Sequence, residues 1–133
     1  MGKSAQKKPI NVLDALEEKE EHLLATEQEA MKLPDGGLET IAFLAKSLSD
    51  ENRLRILLSL NGGKKSVNRI VEELNLSQPL ISHHLKELKR SLLVKVERQG
   101  PFIYYEMIDK RIIDILKKIG ILGKELLANR RTF

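Results

Sequence analysis

Cysteine is absent from this chain of 133 residues. Without a thiol there is no disulfide, no thiolate ligand for a metal ion, no thiol redox sensor and no cysteine nucleophile. The absence excludes disulfide-stabilised scaffolds, metal modules built on cysteine and cysteine-dependent enzymes.

A hydrophobic run long enough to cross a membrane is also absent. Hydrophobic residues make up 41% and charged residues 32% of the chain, and the apolar residues come in short clusters such as Ile56-Leu57-Leu58. The basic N-terminus is not followed by the apolar region of a secretory signal. This composition is typical of a soluble protein, and we expect a cytoplasmic location.

The length of the chain suits one domain. At 133 residues it is long enough for one hydrophobic core and too short for two domains of ordinary size. We expect a flexible basic arm over residues 1–8 and a single domain over residues 9–133.

Opposite charges are concentrated in the two halves of the sequence. Residues 1–60 hold 8 Lys and Arg against 11 Asp and Glu, a net charge of −3, whereas residues 61–133 hold 15 against 8, a net charge of +7. A basic half favours an anionic partner, most often nucleic acid. On its own this signal is weak, because many exposed surfaces are basic.

Helical periodicity describes the first half of the chain. Apolar spacing predicts a helix over about residues 9–31, a break over residues 33–37 where proline and paired glycines favour a turn, and a second helix over about residues 38–48. Ser49-Asp50 is suited to cap a third helix, which ends at Asn61-Gly62-Gly63. The residues of this third helix expected to point at the core are Leu54, Ile56, Leu57 and Leu58.

Two helices joined by a very short link follow. Ser66 is suited to cap a helix over Val67–Leu74, whose apolar residues fall on one side. After only two more residues, Ser77 is suited to cap another helix, with Pro79 in its first turn, where a missing amide hydrogen is harmless. So short a link forces a sharp turn between the helices. Apolar residues on one side of the second helix are Ile81, Leu85, Leu88 and Leu92.

A β-hairpin is predicted next. Val94–Arg98 alternates like a strand, Gln99-Gly100-Pro101 favours a turn, and Phe102–Met107 is rich in β-branched and aromatic residues. A final helix is expected over about Lys110–Ala128. This order of elements predicts a mainly α fold with a small β-hairpin, a winged helix-turn-helix.

The helix that begins after Ser77 carries side chains suited to DNA. Short or planar hydrogen-bonding side chains near its start suit base edges in the major groove, and basic side chains further along suit phosphates. The hairpin tip lies within reach of the DNA backbone or the minor groove. We therefore expect a double-stranded DNA operator as partner. The candidate DNA-binding residues are Ser77, Gln78, Pro79, Ser82, His83, Lys86, Lys89, Arg90, Arg98 and Gln99.

Two stretches resemble the ArsR/SmtB family of repressors. The first is residues 48–57, Leu-Ser-Asp-Glu-Asn-Arg-Leu-Arg-Ile-Leu, and the second is residues 76–86, Leu-Ser-Gln-Pro-Leu-Ile-Ser-His-His-Leu-Lys. Gly100 and Tyr104-Tyr105, further along the chain, add to the resemblance. The resemblance covers about residues 38–127. It implies a homodimer that binds a pseudo-palindromic operator as a repressor and is released by a ligand, often a metal ion. It also implies that the first and last helices form the dimer interface.

The chain departs from this family pattern in its sensing chemistry and at one helix end. Leu92 stands where a glycine usually ends the recognition helix in a left-handed conformation. The family's Cys-x-Cys ligand pair is replaced by residues 69–74, and the last helix holds Asp114 and Glu125 but no histidine. We expect no metal site and no cofactor, which leaves an unidentified effector ligand as the open alternative.

The last helix independently fits a dimer interface. It is apolar around more of its circumference than one core-facing stripe needs, and Gly120 and Gly123 permit the close approach of a second helix. The alternative is that these residues pack inside one subunit, although symmetric dimers are the commonest oligomers. The candidate interface residues are Leu13, Leu16, Leu23, Ile112, Leu116, Ile119, Gly120, Gly123 and Leu127.

Other patterns point to other functions only weakly. His83 and His84 project about 100° apart on a helix, whereas a metal pair needs a spacing of three or four residues; we expect His84 to be a half-buried packing residue. Lys64-Lys65 after two glycines lacks the full phosphate-loop pattern, so we expect no enzyme. The alternative to a sequence-specific regulator is a winged-helix module that contacts a protein through the same basic surface.

Overall fold

The computed structural model of the chain describes residues 11–132. The basic arm expected over residues 1–8 lies outside these residues. The chain divides into two compact units between Leu38 and Glu39. The single domain expected over residues 9–133 stays a prediction.

One long helix, α1, dominates the first unit. It spans Val12–Ala30, and the side chain of Asn11 caps it by accepting a hydrogen bond from the backbone amide of Leu13 at 3.1 Å. The sequence placed its start near Pro9, which is not among the described residues. None of its residues is buried, so its predicted apolar stripe lies on the surface of this unit.

The second unit has the element order of a winged helix-turn-helix. Its three strands form one antiparallel sheet in the order β1, β3, β2. The two-residue strand β1, which pairs with Tyr104 and Tyr105 of β3, was not expected from the sequence. The elements that follow α1 are α2 (Gly37–Ser47), α3 (Glu51–Leu60), β1 (Lys65–Ser66), α4 (Val67–Leu74), α5 (Gln78–Arg90), β2 (Val94–Gln99), β3 (Phe102–Met107), α6 (Arg111–Ala128) and a 3₁₀ turn (Asn129–Thr132).

The three predicted N-caps are confirmed. Asp50 accepts from the Arg53 amide at 3.1 Å, and the corresponding bonds of Ser66 and Ser77 measure 3.2 and 3.4 Å. Each bond satisfies an amide that the first turn of a helix leaves without a partner. These caps set the starting points of α3, α4 and α5, and with them the geometry of the helix-turn-helix.

One apolar core lies among the helices and the sheet of this unit. Leu58, expected in the core, is 51% exposed, because α3 turns Leu57 and Leu60 inward instead; Leu54 is only partly buried. Burying one such side chain contributes about 1.5–3 kcal/mol. The buried apolar residues are Ile56, Leu57, Leu60, Ile70, Ile81, Leu85, Leu88, Leu93, Val94, Met107 and Ile113.

The ends of α4 and α5 both use left-handed residues. Asn75 ends α4 with φ of 51°, a conformation that asparagine tolerates well. Leu92 follows α5 with φ of 59°, so it adopts the conformation that glycine usually supplies. The amides of Leu92 and Leu93 donate to Lys89 and Leu88 at 3.1 and 3.0 Å, which completes the helix-ending pattern despite the side chain.

A charged cluster joins α3, β1 and α4. The Glu73 carboxylate accepts hydrogen bonds from Lys65 Nζ and Ser59 Oγ, both at 2.7 Å, and from Arg69 Nε at 3.1 Å. Lys65 Nζ also donates to the backbone carbonyl of Ser59 at 2.6 Å. The bonds from Lys65 and Ser59 lower the pKa of Glu73 to about 2. The cluster therefore ties the short strand of the wing to the helix that supports α5.

Replacing Leu92 by glycine should stabilise the protein. The left-handed conformation costs a residue with a Cβ about 1–2 kcal/mol, whereas glycine adopts it freely but loses more entropy on folding. Leu92 is 74% exposed, so its loss removes little buried surface. We expect the free energy of unfolding in urea to rise by about 0.5–1 kcal/mol for Leu92→Gly. Leu92→Ala keeps the Cβ and should show no gain; equal stability of the two variants would contradict the explanation.

Glu73→Gln should lower the thermal unfolding midpoint at neutral pH, because it removes the charge that Lys65 and Arg69 face. A carboxyl whose pKa is lowered from 4.5 to about 2 stabilises the fold above pH 4.5, and this contribution falls as the pH drops toward 2. The difference between wild type and variant should therefore shrink from pH 5 to pH 3 in a series of thermal melts. Glu72→Gln, which removes one negative charge at the neighbouring exposed residue of α4, is the matched control.

Candidate nucleic-acid interface

Helix α5 has one buried side and one exposed side. Ile81, Leu85 and Leu88 are fully buried against the core. Gln78, Ser82, Lys86 and Lys89 follow each other at spacings of four, four and three residues, so they share one side of the helix, which borders the buried side. All four are exposed except Ser82, which is half-buried.

The first turn of α5 is open to an anion. Ser77, Gln78 and Pro79 are exposed. The Ser77 hydroxyl oxygen caps the helix by accepting from the Leu80 amide, which leaves its hydrogen to donate to a phosphate oxygen. A helix N-terminus also carries a partial positive charge.

The candidate side chains differ in how far the protein itself engages them. Within residues 11–132, Gln78, Lys86 and Lys89 have no hydrogen-bond or ion-pair partner, and His83 has only a tilted ring contact with His84 at 5.5 Å. The protein's own carboxylates contact two candidates in this range: Arg90 forms an ion pair with Glu87 at 3.3 Å, and Gln99 Nε2 donates a hydrogen bond to Glu97 at 3.2 Å.

His84 of α5 is buried beside the start of α3. The residue is 5% exposed, more buried than the half-buried position expected from the sequence, and its Nε2 lies 3.7 Å from Asp50 Oδ1. Its Nδ1 is buried and has no partner in the described part of the chain. Burial lowers the pKa of His84 and outweighs the opposing effect of Asp50. The imidazole is therefore neutral at neutral pH and serves packing.

The hairpin of β2 and β3 forms the wing. Lys95 pairs with Glu106 across the strands at 3.6 Å, and Lys64, just before β1, pairs with Glu97 at 3.3 Å. Among the described residues Arg98 has neither a hydrogen-bond nor an ion-pair partner. Arg98, a candidate DNA-binding residue near the tip, is therefore the unpaired cation of the hairpin in this part of the chain.

The last helix carries two apolar stripes. Ile113 is buried, and Ile112 and Leu116 pack partly against the core of the same unit. A second stripe, spaced four, three and four residues apart, is at least half exposed. Sequence reasoning selected only Ile119 of this stripe, although the helical spacing was visible in the sequence. The members of the second stripe are Ile115, Ile119, Leu122 and Leu126.

The remaining interface candidates are on the surface of their own units. Leu127 is 64% exposed, and an added Cβ at Gly120 or Gly123 would meet no atom within 4 Å. Leu13, Leu16 and Leu23, which belong to the first unit, are each more than half exposed.

Metal and membrane chemistry have no visible basis in the described part of the chain. In residues 11–132, no group of three or more histidines, aspartates and glutamates is placed to hold a metal ion. Every helix described is too short or too polar to span a lipid bilayer.

Comparison with known proteins places the helix-turn-helix, up to the start of β2, in a family. Residues 50–96 match the model of the bacterial regulatory protein family arsR. The chain is 38% identical over 85 residues to the uncharacterized HTH-type transcriptional regulator MJ1325 of Methanocaldococcus jannaschii, an alignment covering 63% of this chain and 96% of that one. It is 44% identical over 62 residues to the transcriptional repressor SdpR of Bacillus subtilis, covering 47% of this chain and 69% of the repressor.

A solved structure agrees with the fold. The homodimeric winged helix-turn-helix DNA-binding domain of Mb0332 from Mycobacterium bovis is 26% identical, with a TM-score of 0.59 over 66% of this chain and 82% of that domain. The predicted fold class is confirmed by this similarity and by the order of elements. The chain belongs to the ArsR family of bacterial regulatory proteins.

Proposed function

We propose that this protein is a homodimeric transcriptional repressor that reads a pseudo-palindromic operator with α5. The observation that carries the proposal is the two-sided character of α5. Its apolar side is locked into the core, while a row of polar and basic side chains stays exposed. The major groove of DNA admits one α-helix presented in this way. Because its target is the chromosome, the protein acts in the cytoplasm.

The exposed side of α5 divides into two kinds of contact. Gln78, Ser82 and His83 lie in the first half of the helix and are suited to hydrogen bonds with base edges. Ser77 at the cap, and Lys86 and Lys89 further along, are suited to phosphates, which set the register and make the affinity depend on salt. Arg90 contributes less, because Glu87 partly neutralises it.

Dimerisation through α6 would bring two such helices onto one face of the operator. Ile115, Ile119, Leu122 and Leu126 expose a continuous apolar stripe that one subunit leaves in water. Full burial of such a side chain is worth about 1.5–3 kcal/mol, and since these four are only about half exposed each has roughly half of that to gain; the eight in a dimer together favour association. A symmetric dimer would place its recognition helices in successive major grooves, about 34–36 Å apart.

If the repressor has an effector, it is not a transition metal held by cysteine, because the chain contains no cysteine. The relatives are named as regulators, which supports a role without catalysis. An organic ligand remains the class to test, since a ligand that binds only the folded dimer must raise its apparent stability.

Base-reading and phosphate-binding residues should be separable by mutation. Gln78→Ala or His83→Ala should remove about 1–3 kcal/mol of discrimination between the operator and random DNA, because a base contact is lost. Lys86→Ala should weaken both complexes similarly and reduce the slope of log affinity against log salt by about 1. Fluorescence anisotropy at several salt concentrations measures both quantities. Lys124→Ala on α6 is the matched control.

Two results would count against this account. If all three α5 variants lowered specific and random binding equally, direct reading of bases by α5 would be wrong. If the wild-type protein preferred no DNA sequence at all, a winged-helix module that contacts another protein would explain the exposed surface instead.

Ile119→Glu should convert the dimer to monomers. The substitution places a charge in the middle of the exposed apolar stripe, twice in each dimer, and should raise the dimer dissociation constant about a hundredfold or more. Analytical ultracentrifugation measures the change, and circular dichroism verifies that the helices are retained. Lys117→Glu, on the polar side of α6, introduces the same side chain and should leave the dimer intact. An unaltered dimer in Ile119→Glu would move the interface elsewhere.

A further inference from the structure

An open cleft of about 440 Å³, the apolar cleft, lies between α2, the end of α5 and the start of α6. Two charged residues line it, Asp109 and Arg111, and they pair with each other at 2.7 Å. Clefts of this size and lining are typical of sites that hold small organic molecules. The apolar lining residues are Phe43, Leu44, Leu92, Leu93, Ile112 and Ile115.

Leu92 lines the apolar cleft in a strained backbone conformation. Its φ is 59°, although its side chain is 74% exposed and adds little to the core. Phe43 and Ile115, which line the cleft with it, are about half exposed. Strained residues of this kind are concentrated at ligand sites, where the surrounding structure holds them in place. Three apolar side chains are therefore left for a ligand to cover.

A second cleft, the cationic cleft, adjoins the apolar one. Its volume is about 240 Å³, and the two clefts share Phe43 and Ser91. Three cations and one carboxylate line it, which gives a net charge of +2 where the apolar cleft has none. The charged lining residues are Lys46, Arg53, Arg90 and Glu87.

The cations of this second cleft keep donors for an anion. Arg53 donates to the backbone carbonyls of Ser47 and Lys46 at 2.6 and 3.3 Å, and Arg90 pairs with Glu87 at 3.3 Å. A guanidinium has five N–H donors, so each arginine has some left. Within residues 11–132 the Lys46 ammonium has no hydrogen-bond or ion-pair partner. The charge of the cleft therefore complements a carboxylate.

We propose that the two clefts form one site for a small amphipathic anion, with its apolar body beside Leu92 and its carboxylate beside Lys46, and that this ligand lowers the affinity for DNA. Arg90 belongs to α5 and lines the site, so a bound carboxylate would occupy it and bring negative charge toward the DNA phosphates. The regulatory part of the inference rests on the proposed function. Ligand binding does not depend on it.

The test of charge compares 2-naphthoate with its neutral analogue 2-naphthalenemethanol in calorimetric titrations of the whole chain. Wild type should bind the naphthoate about threefold to tenfold more tightly, because only the carboxylate meets the cations. Lys46→Gln should reduce this preference. Lys124→Gln, at an exposed lysine of α6 outside both clefts, is the matched control and should keep it.

The test of the apolar cleft uses both probes. Phe43→Ala should weaken the binding of each about tenfold, because an apolar contact is lost. Ile41→Ala, on the same helix and equally exposed at 52%, is the matched control and should weaken neither. Leu92→Gly should also weaken both probes, although we expect it to stabilise the fold. Weaker binding by a more stable variant cannot come from unfolding.

The regulatory part is tested on DNA that the wild-type protein has selected from a randomised pool. Saturating 2-naphthoate should lower the affinity for this DNA several-fold in anisotropy titrations, and the neutral alcohol should have a smaller effect. Because the coupling between two ligands is reciprocal, the selected DNA should lower the affinity for naphthoate by the same factor.

Each failure has a distinct meaning. If neither probe binds at millimolar concentration, if the alcohol binds as tightly as the naphthoate, or if Phe43→Ala and Ile41→Ala bind alike, the site is wrong. If naphthoate binds the Ile119→Glu monomer and not the wild-type dimer, a second copy of the chain fills the apolar cleft instead.

The regulatory link and the proposed function fail separately. If naphthoate binds as expected and leaves the affinity for the selected DNA unchanged, the regulatory link is wrong and the proposed repressor stands. If the wild-type protein selects no sequence from the pool, the proposed function is wrong, and the calorimetric titrations decide the ligand site on their own.

Discussion

The function of this protein depends on helix α5 being buried on one side and exposed on another. Ile81, Leu85 and Leu88 are each inaccessible to solvent, and the burial of each contributes about 1.5–3 kcal/mol. This anchoring does not use the polar side of α5, so that side is free to meet DNA. A helix held by its polar side chains would have none left for recognition. The apolar face therefore determines both the stability of the unit and the availability of the reading surface.

Contacts of polar and backbone groups define where α5 begins, where it ends and what it lies against. The Ser77 cap sets its first turn, His84 meets Asp50 at the start of α3, and Leu92 reverses the chain toward the wing. The bond of Ser77 and the backbone bonds of Leu92 and Leu93 satisfy groups that the two ends of a helix leave without partners.

Local signals made most of this architecture predictable. Caps, short links and strand alternation depend on neighbouring residues, so Asp50, Ser66 and Ser77 were identified correctly. The strand at Lys65–Ser66 was not, because two residues become a strand only by pairing with a distant part of the chain. Leu58 was misplaced because apolar residues crowd α3 on more than one side, and periodicity alone cannot choose between them. The DNA and dimer contacts stay predictions, since they form with molecules outside the chain.

The cluster around Glu73 has a consequence for how an allosteric signal would work. Because Lys65 joins the wing's sheet to α4, and α4 packs on α5, a movement of the wing is coupled through α4 to α5. An effector would therefore have little effect by deforming α5 and the wing within one subunit. It would act more effectively by altering the distance or the angle between the α5 helices of the two subunits, so that they no longer match the helical repeat of the operator.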